Sequence, residues 1–333
     1  MELLIIGAKG MLGQELVKVF KNDENYEIFA WDKEEIDITK EQEARKKISE
    51  IKPEIIINAA AYNLVDQCET DEKSFELAKK VNGKAPGYLA KIAKDLKAIL
   101  VHYSTDYVFD GQPEIEEPSG CTHSCESCGL HEKFTPKIGF NEEAKPNPIS
   151  KYGQSKLLGE KEIQKNTDKF YLIRTSKLFG LPTESETGKK SFFEVMLDLA
   201  KNKKNIHPVK SLSERSYLSG KFNGVKAINE ETSCFTYAPD LAKKTKEIIE
   251  SKKPFGIYHI VNGDHCTWYE GVLELYNQSG IKTKVEPVEG NFFKRAAKRP
   301  PFSVLLNTKL NPLRSYKEAL KDYLYELKKS QKN

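Results

Sequence analysis

The stretch Gly7-Ala8-Lys9-Gly10-Met11-Leu12-Gly13 decides the fold that we expect. It stands directly after an apolar run, Glu2–Ile6, that predicts a strand, and before a predicted helix, Gln14–Lys21. Glycine is favoured in such a loop because the backbone must turn tightly and approach a pyrophosphate, whose charge is met by free N–H groups at the helix N-terminus. An acidic residue, Asp32, closes the next predicted strand about 20 residues further on, as in dinucleotide-binding folds. We therefore predict a dinucleotide-binding loop that contains Gly7, Gly10, Met11, Leu12 and Gly13.

Asp32 also bears on which nicotinamide cofactor this loop takes. A carboxylate at this position binds the adenosine ribose hydroxyls and repels a 2′-phosphate, which favours NADH. The adjacent Lys33 would tolerate that phosphate, so NADPH remains an alternative.

The composition is that of an ordinary soluble globular protein. The chain has 333 residues, of which 38% are hydrophobic and 31% charged, and this excludes collagen-like and low-complexity classes. Basic residues exceed acidic ones by only 4, so the charge gives no reason to expect a nucleic acid or a membrane as partner. The apolar runs are far shorter than the ~18 residues that span a bilayer, and the N-terminal run lacks a signal-peptide pattern. We therefore expect a cytoplasmic protein.

Apolar, β-rich runs alternate with helical segments through the first half of the chain. The strand-like runs are Glu2–Ile6, Glu27–Trp31, Glu54–Asn58, Ile99–Ser104 and Phe170–Thr175. Runs that are apolar almost throughout are typical of strands buried on both faces, and the intervening helices provide the crossovers of a parallel sheet. We therefore predict an α/β fold with a doubly wound, parallel, Rossmann-type sheet.

The pattern becomes looser after Thr175, and this change divides the chain into two predicted parts. A helix near Pro239–Glu250 and a strand at Ile257–Val261 indicate that the chain returns to the sheet. We expect a Rossmann domain from residues 1–175 and about 237–262, with a cysteine-rich inserted loop at about 112–145. Residues of about 176–236 and 263–333 are expected to form a smaller C-terminal substrate-binding lobe.

A second motif, Tyr152-Gly153-Gln154-Ser155-Lys156, opens another predicted helix. Its i, i+4 spacing places a phenol and an ammonium on one helical face, where the cation can lower the tyrosine pKa from ~10 towards working pH. Such a pair occurs often by chance. It gains meaning because the fourth strand ends in Tyr103-Ser104-Thr105-Asp106, which brings hydroxyl groups to the carboxyl edge of the sheet, where doubly wound folds bind ligands. The combination indicates a hydride-transfer site in which Tyr152 donates a proton to a carbonyl.

These motifs together resemble the dTDP-4-dehydrorhamnose reductase family within the extended short-chain dehydrogenase/reductases. The resemblance covers most of the chain and is carried by Asn58-Ala59-Ala60-Ala61-Tyr62, Val65-Asp66, Ser104-Thr105-Asp106-Tyr107-Val108-Phe109-Asp110-Gly111, Tyr152-Gly153-Gln154-Ser155-Lys156 and Arg174-Thr175-Ser176. It implies reduction, by NADH or NADPH, of the C4 ketone of a nucleotide-linked 4-keto-6-deoxy sugar. The leading case is conversion of dTDP-4-dehydro-L-rhamnose to dTDP-L-rhamnose.

The resemblance also implies roles for single residues. Beyond the glycine loop, its cofactor-binding positions are Asp32, Asp37, Ile38, Ala61, Tyr62, Asn63, Tyr152 and Lys156. Thr105 would hydrogen-bond the C4 carbonyl, with Asp106 beside it in the substrate site. Tyr152 would donate the proton, while Lys156 would hold the nicotinamide ribose and tune the tyrosine.

One position departs from the family pattern. After Arg174-Thr175-Ser176 these reductases usually carry a tryptophan that packs on the substrate, whereas this chain has Lys177. The cation would contact a diphosphate of the substrate or mark a different nucleotide sugar, and both interpretations stay open.

A second departure is the segment between Gly111 and Tyr152, which is longer than the resemblance predicts and contains a cysteine cluster. Cys121, Cys125 and Cys128 are followed by His131, a set sufficient for a tetrahedral structural zinc site. His123 is the substitute fourth ligand, and unliganded cysteines or an iron–sulfur cluster are the alternatives. We expect a structural or lid role for this loop, since a hydride transfer of this type needs no metal.

Two other functions stay open. The first keeps the chemistry and changes the substrate, as a reductase or epimerase-reductase of another nucleotide sugar. The second is a non-catalytic NAD(P)-binding regulatory subunit, because a regulator of methionine adenosyltransferase resembles these reductases. The presence of Thr105, Tyr152 and Lys156 argues against a regulator. A homodimer is compatible with the sequence, which does not fix the oligomeric state.

Overall fold

The structure is a computed structural model and describes residues 1–113, 138–183, 185, 188–201 and 224–331. Its largest sheet within these ranges has six parallel strands, which from edge to edge are β10 (Gly256–His259), β5 (Phe170–Thr175), β4 (Ile99–Thr105), β3 (Ile55–Asn58), β1 (Glu2–Ile6) and β2 (Glu27–Trp31). The chain runs from β1 to the edge strand β2 and then returns across β1 to β3. The strand order therefore reverses between β1 and β3, and the crevice at the carboxyl ends of these two strands is where doubly wound sheets bind ligands.

Helices cover both faces of this sheet. The described helices are α1 (Met11–Lys21), α2 (Glu41–Ile51), α3 (Val65–Thr70), α4 (Glu72–Ala78), α5 (Ala85–Leu96), α6 (Lys151–Asn166), α7 (Phe192–Lys201), α8 (Ala238–Glu250), α9 (Trp268–Ser279) and α10 (Tyr316–Ser330). Leu3 and Ile5 of β1 point into one hydrophobic cluster with α1 and α8, while Leu4 and Ile6 point into another with α2 and α5. This alternation explains why the strand is apolar at almost every position, since both of its faces are buried.

The chain after β5 adds three short strand pairs. These are β6 (Leu178–Phe179) with β9 (Thr236–Tyr237), β8 (Thr232–Cys234) with β11 (His265–Thr267), and β7 (Gly224–Ile228) with β12 (Lys284–Val288). Side chains of α7, α9 and α10 form a separate hydrophobic cluster with them, centred on Phe193, Phe235 and Tyr323. Among the described residues, no helix combines the length and apolar character needed to cross a bilayer.

The predicted doubly wound parallel sheet is confirmed. All six predicted strands are present, although β10 ends at His259 rather than Val261. Helix α1 begins at Met11, three residues before the predicted start at Gln14, because the helical conformation follows the glycine loop without a gap. The predicted boundaries between a Rossmann domain and a substrate-binding lobe stay a prediction.

Candidate active site

The glycine loop after β1 is shaped by contacts that leave no space for side chains. Gly7 adopts φ +81°, a left-handed conformation that favours glycine, and a Cβ there would lie 2.7 Å from the backbone nitrogen of Ala60. A Cβ on Gly13 would lie 2.0 Å from the carbonyl oxygen of Gly7. The Gly7 N–H donates to the carbonyl of Trp31 at 2.8 Å. The loop is thereby held between the ends of β2 and β3, at the crevice of the sheet.

The N-terminus of α1 points its free backbone N–H groups into this crevice. Gly10 is the N-cap residue, no side chain of the described chain caps the helix, and the first turn holds no acidic residue. The unpaired N–H groups and the positive end of the helix dipole therefore remain available for an anion. The residues present thus fit the pyrophosphate of NAD(P).

Asp32 lies beside this loop with its carboxylate fixed in place. One oxygen accepts a hydrogen bond of 3.0 Å from the Lys9 N–H, and the other accepts one of 2.8 Å from the Lys33 N–H. The Lys9 ammonium pairs with Glu34 at 3.0 Å. The loop is therefore bordered by an ordered carboxylate, as the sequence predicts for a group that binds ribose hydroxyls.

The next predicted cofactor residues lie in the turn after β2. The Asp37 carboxylate accepts hydrogen bonds from the N–H and the hydroxyl of Thr39, at 3.0 and 2.6 Å, and the Thr39 hydrogen bond holds the pKa of this carboxyl below its usual value. Ile38 is buried in the same hydrophobic cluster as Ile6. These contacts order the turn, and a contact of either residue with adenine stays a prediction.

The segment after β3, which contains Ala61, Tyr62 and Asn63, connects the glycine loop to α6. The backbone N–H and carbonyl of Tyr62 both hydrogen-bond the side chain of Asn82, at 2.8 and 3.0 Å. The Asn82 amide also donates to the hydroxyl of Ser155 on α6 at 3.0 Å. Asn63 accepts a hydrogen bond from the Tyr152 hydroxyl at 3.4 Å. Cofactor and catalytic candidates therefore meet in one continuous network.

Two glycines let helix α6 pack closely on neighbouring backbone: Gly153 lies against the residues that follow β4, and Gly159 lies against Asn82, before α5. A Cβ on Gly153 would lie 2.2 Å from the carbonyl oxygen of Tyr107, and a Cβ on Gly159 would lie 2.1 Å from that of Asn82. Ser150 caps the helix by accepting a hydrogen bond of 3.1 Å from the Gly153 N–H. This close packing places Tyr152 and Lys156 against the end of β4.

Lys156 is held by the backbone of that strand rather than by Tyr152. Its ammonium, almost completely buried, donates a hydrogen bond of 2.6 Å to the carbonyl of Tyr103. Burial lowers the pKa of Lys156 to about 8, against the attraction of Glu160.

The pKa of Tyr152 shifts in the direction opposite to the expected one. Burial raises it above its usual value of 10, and the negative charge of Asp106 raises it further. In the chain without cofactor or substrate, burial and the neighbouring carboxylate therefore dominate this pKa, and it does not fall as the spacing with Lys156 predicts. The phenol of Tyr152 accordingly stays protonated at neutral pH, which is the state that a proton donor needs.

Thr105 and Asp106 complete the group at the carboxyl end of β4. Thr105 lies opposite Thr175 of β5 in the sheet, and its hydroxyl donates to the Asp106 carboxylate at 3.1 Å. The other Asp106 oxygen accepts a hydrogen bond of 2.6 Å from Ser303. Burial raises the pKa of Asp106 to about 6, and these two hydrogen bonds oppose the shift. Asp106 and Tyr152 are close enough that the carboxylate affects the phenol, so the predicted substrate and catalytic residues are brought together.

A buried ion pair that was not predicted from the sequence lies behind this site. Arg174 of β5 donates two hydrogen bonds to Glu160 of α6, at 2.7 and 3.0 Å, and Ser104 donates a third at 2.5 Å. Glu160 follows Lys156 by four residues, as Lys156 follows Tyr152. The same i, i+4 spacing that relates Tyr152 to Lys156 places Glu160 on this helix face, so the sequence contained a signal for it.

A second missed contact joins the distant C-terminal part of the chain to the site. Arg299 forms a bidentate ion pair with Asp66, with N–O distances of 2.7 and 2.6 Å. Asp66 also accepts a hydrogen bond of 3.0 Å from the Ala297 N–H. No periodic pattern in the sequence connects these residues, which are separated by more than 200 positions.

The predicted zinc ligands Cys121, Cys125, Cys128 and His131 lie outside the described residues, and zinc binding stays a prediction. Within the part of the chain that the structure covers, no group of three or more His, Cys, Asp or Glu side chains could hold a metal ion. The cysteines in that part, Cys68, Cys234 and Cys266, are buried free thiols.

Comparison with known proteins shows the family. The family model described as the RmlD substrate binding domain matches residues 1–213 and 216–329. The spore coat polysaccharide biosynthesis protein SpsK of Bacillus subtilis is 30% identical over 98% of this chain and 97% of its own length. A dTDP-4-dehydrorhamnose reductase of Aggregatibacter actinomycetemcomitans is 30% identical over 92% of this chain and 91% of its own.

Solved structures give the same result. The crystal structure of a dTDP-4-dehydrorhamnose reductase from Clostridium acetobutylicum superposes with a TM-score of 0.79, at 32% identity, over 98% of this chain and 100% of that one. A dTDP-4-dehydrorhamnose reductase from Bacillus anthracis, solved in complex with NADP, gives a TM-score of 0.78 at 28% identity over 98% and 99% of the two chains. With its fold, its glycine loop and its Tyr–Lys helix at the sheet crevice, this chain belongs to the dTDP-4-dehydrorhamnose reductase family of extended short-chain dehydrogenase/reductases.

Proposed function

We propose that this protein reduces the C4 ketone of a nucleotide-linked 4-keto-6-deoxy sugar, with dTDP-4-dehydro-L-rhamnose as substrate and dTDP-L-rhamnose as product. The observation that carries the proposal is that Tyr152, Thr105 and the glycine loop lie together at one crevice of the sheet. Asn63 connects them, because the segment before it contacts Gly7 through Ala60 and its side chain accepts the Tyr152 hydrogen bond. The relatives named as dTDP-4-dehydrorhamnose reductases support the choice of substrate.

The cofactor-binding part of the site would hold NADH or NADPH. Gly7, Gly10, Met11, Leu12 and Gly13 would surround the pyrophosphate, because the N-terminus of α1 has no side-chain cap and the glycines leave room for close approach. Asp32, Asp37, Ile38, Ala61, Tyr62 and Asn63 are the further cofactor residues of the proposal. When bound, the reduced nicotinamide supplies the hydride, which is chemistry that no side chain can provide.

The chain's own residues would handle the proton. When the substrate binds, Thr105 would turn its hydroxyl proton from Asp106 to the C4 carbonyl and so orient the carbonyl towards Tyr152. Tyr152 would then protonate the oxygen as negative charge develops on it, which is general acid catalysis by a group that is protonated beforehand. Lys156, anchored to the Tyr103 carbonyl, would hold the nicotinamide ribose and contribute positive charge near the developing alkoxide. Asp106 would bind the substrate beside Thr105.

The proposal includes a substrate-binding lobe of about residues 176–236 and 263–333, opposite a Rossmann domain of residues 1–175 and about 237–262. The hydrophobic cluster around Phe193, Phe235 and Tyr323, separate from the two clusters of the large sheet, supports this division. It also includes a cytoplasmic location, with which the described free thiols are compatible. A homodimer is the oligomeric state that we would test first, by light scattering of the purified chain.

Product analysis tests the proposed activity. The purified protein is incubated with dTDP-4-dehydro-L-rhamnose and with either NADH or NADPH, and the product is identified by nuclear magnetic resonance. We expect dTDP-L-rhamnose in an amount equal to the dinucleotide oxidised. Tight dinucleotide binding without any oxidation would contradict the proposal and favour a regulatory subunit. Oxidation with a different 4-keto sugar nucleotide alone would keep the chemistry and correct the substrate.

A further inference from the structure

Lys177 has a left-handed backbone conformation, which residues other than glycine rarely adopt. It stands two residues after Thr175, the end of β5, with φ +39° in the left-handed region. The Lys177 carbonyl accepts a hydrogen bond of 3.2 Å from the Thr236 N–H, and the preceding Ser176 hydroxyl donates to the Cys234 carbonyl at 2.6 Å. These contacts hold the turn, so the direction of the lysine side chain is fixed by the fold.

The ammonium of Lys177 is buried without a hydrogen-bond acceptor from any described residue. It lies 3.9 Å from the ring centre of Trp268 and 5.0 Å from that of Phe235, so the faces of two aromatic rings are its immediate neighbours. A cation–π contact offsets part of the loss of hydration but supplies no acceptor for the N–H groups. Burial accordingly lowers the pKa of this ammonium to about 8. The group is thus short of an oxygen partner.

Glu231, a second carboxylate that attracts this ammonium, already has other hydrogen-bond partners. Glu231 accepts a hydrogen bond of 3.0 Å from the Trp268 indole and also binds Arg295. Trp268 is therefore held rigidly under the lysine by a carboxylate that has other partners. The missing acceptor must come from elsewhere.

Asp106 connects Lys177 to the predicted substrate site, because it interacts with both the Lys177 ammonium and the Thr105 hydroxyl. It attracts Lys177 electrostatically, while its two oxygens accept from Thr105 and Ser303. A buried ammonium and a buried carboxylate of opposite charge thus lie close enough to interact. Such a pair suits a neutral, polar ligand group better than a phosphate, whose two or more negative charges would face Asp106 at close range.

We propose that Lys177 donates a hydrogen bond to a hydroxyl oxygen of the substrate's sugar ring, next to the carbonyl that Thr105 binds, and thereby selects sugars that carry this hydroxyl. The inference rests on the proposed function and deepens it, since it assigns a specificity-determining residue to the sugar end of the substrate. It also decides against contact with the diphosphate. Where related reductases carry a tryptophan that packs on the substrate, this chain would use the Lys177 ammonium to distinguish sugars by hydrogen bonding.

The test compares Lys177→Met, which keeps the length and removes the donor, with Lys177→Arg, which keeps a cation. Calorimetric titration measures the binding of dTDP-L-rhamnose and of dTDP alone to each protein loaded with oxidised dinucleotide. We expect Lys177→Met to weaken dTDP-L-rhamnose binding by about 10- to 100-fold, the loss of one charge-assisted hydrogen bond, and to leave dTDP binding unchanged. Lys177→Arg should recover part of the loss. The melting temperature of ligand-free Lys177→Met should not fall, because a buried ammonium without an acceptor is removed.

The deoxy analogues identify the hydroxyl. The wild type should bind the 3-deoxy sugar nucleotide, which lacks the hydroxyl adjacent to C4, as weakly as Lys177→Met binds dTDP-L-rhamnose, with the 2-deoxy analogue as control. Lys177→Met should bind the 3-deoxy analogue and dTDP-L-rhamnose equally. An equal loss of dTDP binding would place the contact on the diphosphate and overturn the inference. If Lys177→Met binds both ligands as the wild type does, Lys177 has a structural role at most and the inference is also overturned, whatever the melting temperature of the variant. If the wild type reduces the keto sugar and Lys177→Met binds and reduces it equally well, only this inference is rejected. If the wild type binds no dTDP-sugar, the proposed function is rejected as well.

Discussion

Glu160 and Arg174 form an ion pair of 2.7 Å between α6 and β5 in which both side chains are almost completely buried. Ser104, one residue before Thr105, donates a further hydrogen bond to the same carboxylate. The pair therefore joins the helix that carries Tyr152 and Lys156 to the strand that carries Thr105. We infer that it fixes the relative position of the proton donor and the carbonyl-binding hydroxyl.

Substitution Glu160→Gln should destabilise the protein strongly. The change leaves the Arg174 guanidinium buried without a counter-charge, and removing one partner of a buried pair costs about 3 to 5 kcal/mol. Chemical denaturation measures the free energy of unfolding. The matched control is Glu143→Gln, which removes an exposed ion pair with Lys309 of 2.9 Å and should change this free energy by less than about 1 kcal/mol. Equal effects of the two substitutions would show that the buried pair has no special structural role.

Substitution Gly13→Ala should impair dinucleotide binding. The new methyl group would lie 2.0 Å from the Gly7 carbonyl oxygen, a backbone atom, so the loop must move away from the geometry that surrounds a pyrophosphate. We expect the dissociation constants of NADH and NADPH, from fluorescence titration, to rise by at least about tenfold, or 1.4 kcal/mol. Gly290→Ala is the control, because its Cβ would first meet the Glu230 side chain at 3.4 Å, an ordinary contact. Wild-type affinity in Gly13→Ala would contradict the assignment of this loop.

Two buried histidines should make the protein less stable as the pH falls below 6.5. Burial lowers the pKa of His259 to about 3 and that of His102 well below its usual 6.5. His259 uses one ring nitrogen towards the Phe140 and Leu306 carbonyls, both at 3.1 Å, which the neutral ring satisfies. The unfolded chain binds protons at these groups from pH 6.5 downward while the folded chain does not, so acidification favours unfolding.

The expected slope is up to about 1.4 kcal/mol per pH unit for each histidine. Asp106 acts in the opposite direction over the same pH range, because its raised pKa of about 6 lets the folded chain take up a proton first. The difference in slope between His259→Gln and the wild type therefore isolates the histidine, since Asp106 is common to both proteins. Denaturation at several pH values should give a smaller slope for His259→Gln than for the wild type, with exposed His265→Gln as control. An unchanged slope in His259→Gln would mean that this histidine does not titrate on unfolding.

Zinc content tests the prediction for Cys121, Cys125, Cys128 and His131, which rests on the sequence alone. Atomic emission spectroscopy of the purified chain should find about one zinc ion per chain, and Cys125→Ser should lose it. Removal of the metal by a chelator should leave the rate constant of reduction unchanged, since the proposed chemistry uses none. Metal-free wild-type protein would reject the site.

The parts of the fold and the site that follow from local patterns were predictable. The inner strands β1, β3, β4 and β5 are buried almost throughout, so most of their residues are apolar and mark them in the sequence. The glycine loop and the Tyr152–Lys156 pair were also recognisable, because the spacing of a few neighbouring residues defines them. Helix α1 began earlier than predicted because Met11 and Leu12 are part of both the loop and the helix.

The contacts that depend on distant parts of the chain were not predictable. Ser303 reaches Asp106 across 197 positions, and Trp268 meets Lys177 only because the chain folds back on itself. The pKa of Tyr152 depends on its burial and on Asp106, which the i, i+4 spacing does not reveal. Local spacing therefore identified the reacting groups, while the tertiary fold determines their protonation states.

The role of Tyr152 is tested most directly by the steady-state kinetics of Tyr152→Phe with dTDP-4-dehydro-L-rhamnose, followed through the absorbance of the reduced nicotinamide. We predict that kcat falls by about 10²- to 10⁴-fold, the usual contribution of a general acid, while the dissociation constants of NADH and NADPH stay unchanged. Tyr26→Phe, which removes a hydroxyl 3.3 Å from Glu250 on the far side of α1, should keep wild-type activity. A Tyr152→Phe enzyme with kcat within about twofold of the wild type would contradict proton donation by Tyr152 and the proposed mechanism with it.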